Sequence, residues 1–313
     1  MGSSRPAIVP TQDSLFHDIQ TSSSMRYPTL LLLVIFSLNA SCQQKEAAPP
    51  TPVATVPKPV APSKEYTFSE KPVWQDEFDY SGKPDPAKWS YALGGSGWGN
   101  NELQNYTDRL ENAQVKDGHL VITARKESSG SRQFSSARLL TKGKGDFLYG
   151  KIEVKAKLPT GVGTWPAIWT LATDSNYGTN YWPDNGELDI MEHVGFDQNR
   201  VHANIHTKAF NHSIGTNKGD KIMVPTASTE FHVYSCEWKP DYVAFAVDGK
   251  EYFRFNNNPS YNWTQWPFDR KQFLLLNIAV GGNWGGQKGV DGDVFPQRME
   301  VDYVRVYELV EKK

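Results

Sequence analysis

The segment Gly186-Glu187-Leu188-Asp189-Ile190-Met191-Glu192 places three carboxyl groups in one short run. Side chains on a strand alternate, so Glu187 and Asp189 share a face while Glu192 falls on the other. One extra residue near Ile190-Met191, a β-bulge, would return Glu192 to the face of the first two. Leu188 and Ile190 then point the opposite way, and burying them would hold the row still. Three adjacent carboxyls repel one another, which forces at least one pKa upward while another group stays ionised. That division suits glycosidic bond cleavage, in which a carboxylate attacks the anomeric carbon and a protonated carboxyl serves the leaving oxygen. In such chemistry Glu187 is the nucleophile, Glu192 the acid/base, and Asp189 the group that tunes them. The same acids suit a solvated strand face or a calcium site, and spacing alone leaves those readings open.

Other polar and aromatic residues recur at strand spacing. Trp165, Ala167 and Trp169 share one face, with the two indoles about 13 Å apart at roughly 3.3 Å rise per residue. Such rings can stack on sugar CH faces, or they can fill a core. His202, Asn204 and His206 share a face of a further strand; no third ligand in a known zinc arrangement accompanies the histidines. Asn283 and Trp284 lie in Gly281-Gly282-Asn283-Trp284-Gly285-Gly286, a loop whose glycines allow tight backbone geometry.

The elements that must carry these residues read as strands. Lys151 to Leu158 alternates polar and apolar without a break, as a half-buried strand does. Asp248-Gly249 between Ala244–Val247 and Glu251–Phe255 predicts a two-residue hairpin. Val301 to Tyr307 is another strand, and Val233 to Trp238 is a strand in which Cys236 is a buried free thiol. No window predicts a long amphipathic helix. The fold class expected is all-β, an antiparallel sandwich of two sheets with one polar, concave face.

Composition narrows the partner. With 33 Lys and Arg against 35 Asp and Glu, the net charge is -2, which leaves no electrostatic footprint for nucleic acid. Ten tryptophans exceed what a core alone usually needs and point to flat, neutral ligand faces. A monomer is expected.

The first part of the chain reads differently. Thr29 to Leu38 is an apolar run too short to span a bilayer, preceded by Arg26 and followed by Ala40-Ser41-Cys42. Residues 25–42 are therefore read as a signal peptide ending at a lipoprotein-like Cys42, and residues 1–24 as an overlong start outside the fold. Asn39 stands where such signals usually carry Leu. The expected location is the surface or outer membrane of a bacterium, with a lipid anchor as the only membrane contact, or else simple secretion. Residues 43–70 read as a Pro-rich linker and 71–313 as the catalytic domain.

The carboxylate segment is similar to the active-site signature of glycoside hydrolase family 16, glutamate-x-aspartate-x-x-glutamate, in its bulged form. Flanking segments agree in order: WQDEF at 74–78, WGNNELQNYT at 98–107, SARLLTKGKGDFLYGKIEVKAKLP at 136–159, GTWPAIWTL at 163–171, HANIHT at 202–207 and VDYVRVY at 301–307. Within the family the chain most resembles bacterial laminarinases, endo-acting β-1,3-glucanases. The resemblance implies a β-jelly-roll with an open cleft and no cofactor for catalysis. It implies substrate-binding roles for Trp165, Trp169 and Trp182, for Asn101 and Arg138 on the donor side, and for His206 beside the acid/base. Asn283 and Trp284 are assigned to the cleft rim. It further implies a structural Ca²⁺ remote from the cleft, held by backbone carbonyls of Glu77 and Gly118 and by Asp302. The expected function is retaining hydrolysis of laminarin-like β-1,3-glucan, with mixed-linkage β-1,3/1,4-glucan as a further substrate. A glucan-binding protein without catalysis, or the same chemistry on agarose or carrageenan, are the alternatives.

Overall fold

A computed structural model describes residues 64–312. The apolar run, Cys42 and most of the Pro-rich segment lie outside the described residues. Two large sheets carry the fold. The first runs, in spatial order, Lys218–Met223, Arg200–His206, Glu187–Glu192, Thr164–Ala172, Gln272–Val280, Arg138–Leu140 and Ser90–Tyr91. The second runs Lys250–Asn256, Tyr242–Val247, His232–Trp238, Gly150–Lys157, Gln297–Tyr307, His119–Ser129, Arg132–Ser136 and Gln104–Tyr106. Among the described strands the ladders are antiparallel except one, in which Gln104–Tyr106 runs parallel to Arg132–Ser136.

Period-two patterning explains the two layers. In Gly150–Lys157, Ile152, Val154 and Ala156 are buried while the lysines and Glu153 between them are half-exposed. Leu188, Ile190 and Met191 face them from the first sheet, within the same apolar core. Each of the larger of these side chains, fully withdrawn from water, contributes about 1.5–3 kcal/mol. Asp248 and Gly249 both have positive φ, 50° and 76°, and close the expected hairpin between Tyr242–Val247 and Lys250–Asn256. Cys236 is a buried free thiol.

One boundary moves. Tyr66–Phe68, inside the span read as linker, is a strand that pairs with Leu309–Glu311, Tyr66 opposite Glu311. The folded part therefore begins ahead of residue 71. Local composition does not reveal that pairing, because the partner strand lies more than two hundred residues away. The few helical residues form short turns, Tyr181–Asp184 being one, as the absence of amphipathic periodicity predicts.

Candidate active site

The carboxylate row is built by a bulge where the alternation required one. Trp169 pairs with Asp189 and Ile168 with Met191, so Ile190 is the extra residue on its strand. On the other edge, Asp189 pairs with Asn204 and Glu192 with His202, again three steps against two. Leu188, Ile190 and Met191 are all buried, so both residues of the bulge are gripped by the core. Gly186 precedes the row with φ of +85°, and a Cβ there would stand 2.8 Å from Pro267 Cγ. Glycine lets the chain turn sharply into Glu187 beneath that ring.

The three acids are in unlike surroundings. Glu187 keeps some exposure, its side chain 14 % accessible, and its Oε1 lies 3.8 Å from His206 Nε2. Asp189 is buried, with Oδ2 3.3 Å from the same nitrogen. Glu192 accepts from Trp165 Nε1 at 3.0 Å on one oxygen and from Asn204 Nδ2 at 2.9 Å on the other. Burial pushes all three carboxyls above their ordinary range. The charge of Asp189 raises Glu187 further, while His206 pulls Glu187 back. Glu192 is pulled back by His206, Trp165 and Asn204. Adjacent carboxyls that burial disfavours in the charged form titrate as one coupled set and not as three independent acids.

The aromatic residues flank the row on the same face. Trp165 meets Trp284 edge-on at 5.6 Å between ring centroids, and His202 meets Trp284 at 4.9 Å. Near Glu187, Trp182 lies 6.0 Å from His206 and 5.0 Å from His212. Trp169 donates from Nε1 to Asn277 Oδ1 at 2.7 Å. Arg138 stacks between Trp98 and Trp169, at 4.7 and 4.6 Å from their centroids, so one face of Trp169 is covered by a guanidinium. Asn101 Nδ2 donates to Asn283 Oδ1 at 2.8 Å, joining two loops that sequence alone could not bring together.

The register sets His206 directly across from Glu187 and His202 across from Glu192, and His206 also acts on Glu192 electrostatically.

The structure also adds a network that the sequence reading passed over. Asn277 Nδ2 donates to Tyr106 Oη at 3.1 Å, Tyr106 donates to Glu102 at 3.3 Å, and Gln104 donates to the same Glu102 oxygen at 2.6 Å. Glu102 is buried and its carboxyl is raised by that burial, with Arg138 opposing the rise. A signal existed: Asn277 is a lone amide inside the apolar run Phe273 to Val280, and a buried polar group demands partners.

Residues 100–305 match the profile described as glycosyl hydrolases family 16. The chain belongs to that family. This family 16 chain is 57 % identical over 244 residues to a beta-glucanase of Rhodothermus marinus, a match covering 76 % of this chain and 85 % of that protein. Its fold superposes on the laminarinase structure from Rhodothermus marinus with a TM-score of 0.77 and 55 % identity, covering 79 % of this chain and 99 % of the other. A family 16 non-specific endo-beta-1,3(4)-glucanase structure gives a TM-score of 0.72 at 46 % identity, covering 80 % and 94 %. The family 16 fold thus accounts for the sandwich.

Proposed function

We propose that the chain is a retaining endo-β-1,3-glucanase acting on laminarin-like glucans, with mixed-linkage β-1,3/1,4-glucan as a second substrate. The observation that carries this reading is the bulge at Ile190, which aligns Glu187, Asp189 and Glu192 on one aromatic-lined face. Glu187, the most exposed of the three, attacks the anomeric carbon as a carboxylate. Glu192 gives its proton to the departing glycosidic oxygen. A glucosyl ester on Glu187 results, and water opens it while Glu192, now a carboxylate, takes the water proton. Two displacements at one carbon restore the β configuration. His206 supports the first step by favouring the ionised form of Glu187, and Asp189, between the pair, tunes their proton affinities. Trp165, Trp169, Trp182 and Trp284 supply faces for pyranose rings, while Asn101, Arg138 and Asn283 supply polar contacts to hydroxyls. Names of the relatives, a laminarinase and an endo-beta-1,3(4)-glucanase, support a neutral glucan.

The test combines substrate and stereochemistry. Laminarin, mixed-linkage glucan, agarose and carrageenan should be incubated side by side, with reducing ends counted and anomers followed by proton NMR. Laminarin should be cut fastest and its β-anomer should appear first, the α-anomer growing in later by mutarotation. Cleavage of galactans alone, binding without cleavage, or initial release of the α-anomer would each overturn the reading.

A structural calcium belongs to the same proposal. The final long strand pairs with His119–Ser129 as far as Val301, opposite Leu120, and with Trp74–Asp76 from Val304, opposite Asp76. Asp302 lies at the gap between those partners, where the chain leaving Asp76 and the turn at Gly118 both end. The Glu77 carboxylate is engaged by Arg305, at 2.8 and 2.7 Å, so its carbonyl is the group left to offer. Asp302 Oδ2 lies 2.6 Å from Lys155 Nζ, a contact that a bound cation must share or displace. One carboxylate and two carbonyls form an oxygen-only set, suited to Ca²⁺ and able to tie the first strands to the last. Adding Ca²⁺ to chelator-treated protein should raise Tm, by about 2.7 kcal/mol of stability at a hundredfold excess over Kd. Asp302→Ala should abolish that response; an unchanged Tm in the parent protein would remove the metal from the proposal.

A further inference from the structure

Both oxygens of Glu192 are held, one by the Trp165 indole and the other by the Asn204 amide. The far side of that amide is fixed as well. Asn204 Oδ1 accepts from Asn217 Nδ2 at 3.0 Å, and Asn217 is exposed at the entry to the edge strand Lys218–Met223. Across the ladder from Asn204 stands Gly219, where a Cβ would lie 2.3 Å from Asn204 Oδ1. Glycine leaves the amide its place.

A primary amide can serve either form of a carboxyl. With Nδ2 turned inward it donates to a carboxylate; turned over, its Oδ1 accepts from the protonated acid. Asn217 engages Oδ1 and disfavours the second arrangement, and an indole N–H can only donate. Glu192 therefore meets two donors and no acceptor from these neighbours. We infer that Asn204, oriented by Asn217 and seated over Gly219, is a positioning residue that restrains the proton affinity of Glu192. The inference rests on Glu192 being the acid/base of the proposed reaction. That carboxyl must first give a proton and then return as the base toward water, and burial alone would leave it holding the proton too tightly for both tasks.

The titratable groups around Glu192 come from several elements. Glu187 and Asp189 share its strand, His202 and His206 lie on the next, and Asp220 and Lys221 lie on the edge strand. Tyr252 reaches it electrostatically from the second sheet. Thr164–Ala172 and Gln272–Val280 contribute no titratable side chain. Substituting Asn204 or Asn217 alters none of these charges, so a pH effect reports on the amide.

The experiment is the pH profile of kcat/KM on laminarin for the parent protein, Asn204→Ala and Asn217→Ala. The basic limb follows loss of the proton from the acid in the free enzyme. Removing a donor to the ionised form should move that limb upward, by roughly half to one pH unit for Asn204→Ala and by less for Asn217→Ala. Gly219→Ala, which crowds the Asn204 oxygen, should move it the same way. A merely structural role would lower activity at every pH without moving the limb, and that outcome overturns the inference. Asn217 is exposed, so its variant decides the matter if Asn204→Ala fails to fold. A parent protein that cleaves no β-glucan defeats the proposed function itself and this inference with it; an active parent whose variants share its basic limb defeats the inference alone.

Discussion

Glu187→Ala should reduce turnover of laminarin on the order of 10⁴-fold or more, the scale reached when a covalent nucleophile is removed. At 1.36 kcal/mol per tenfold, that is about 5.5 kcal/mol of lost transition-state stabilisation. An activated aryl β-laminaribioside should fare no better, because a good leaving group does not replace the attacking carboxylate. Glu187 approaches the anomeric carbon from the face opposite the leaving oxygen, and truncation opens that space. Added azide should fill it and yield an α-glycosyl azide, a single displacement with inversion. A β-azide from this variant, or activity close to the parent, would remove Glu187 from the nucleophile's role.

The second large effect depends on the leaving group. Glu192→Ala should slow laminarin hydrolysis by roughly 10²–10⁴-fold, the range for loss of a general acid. With a dinitrophenyl leaving group the first displacement needs no proton and should proceed near the parent rate. The second step still lacks its base, so the glucosyl ester on Glu187 should accumulate, visible as a burst of phenolate and as added mass in intact-protein mass spectrometry. Azide should then accelerate turnover and give the β-azide, since it attacks an ester already inverted once. If both variants fail equally with the activated substrate, the division of labour between Glu187 and Glu192 is lost.

What was legible in the sequence was local. The row from Glu187 to Glu192 and its bulge could be read because strand alternation and the burial of Leu188 and Ile190 operate within a few residues. The Asp248-Gly249 hairpin was legible for the same reason. The network from Trp169 through Asn277 and Tyr106 to Glu102 was not, because Asn277 and Tyr106 are 171 positions apart and meet only through the order of strands. The pairing of Glu192 with His202 was not legible for a related cause: a bulge in one strand resets the register against its neighbour, and no feature of the neighbour's own sequence records it. The pairing of Tyr66–Phe68 with Leu309–Glu311 likewise depends on two distant segments.

That last pairing has a mechanical side. Because Tyr66 stands opposite Glu311, the chain enters and leaves the fold on neighbouring rungs, beside the final strand of the sheet that does not bear the acids. A module or tether joined to either end of the described fold therefore starts from the same short ladder. Traction applied between the two ends would peel this short ladder rung by rung before it loaded the Glu187–Glu192 strand, so the ladder acts as a strain relief for the geometry of the acids.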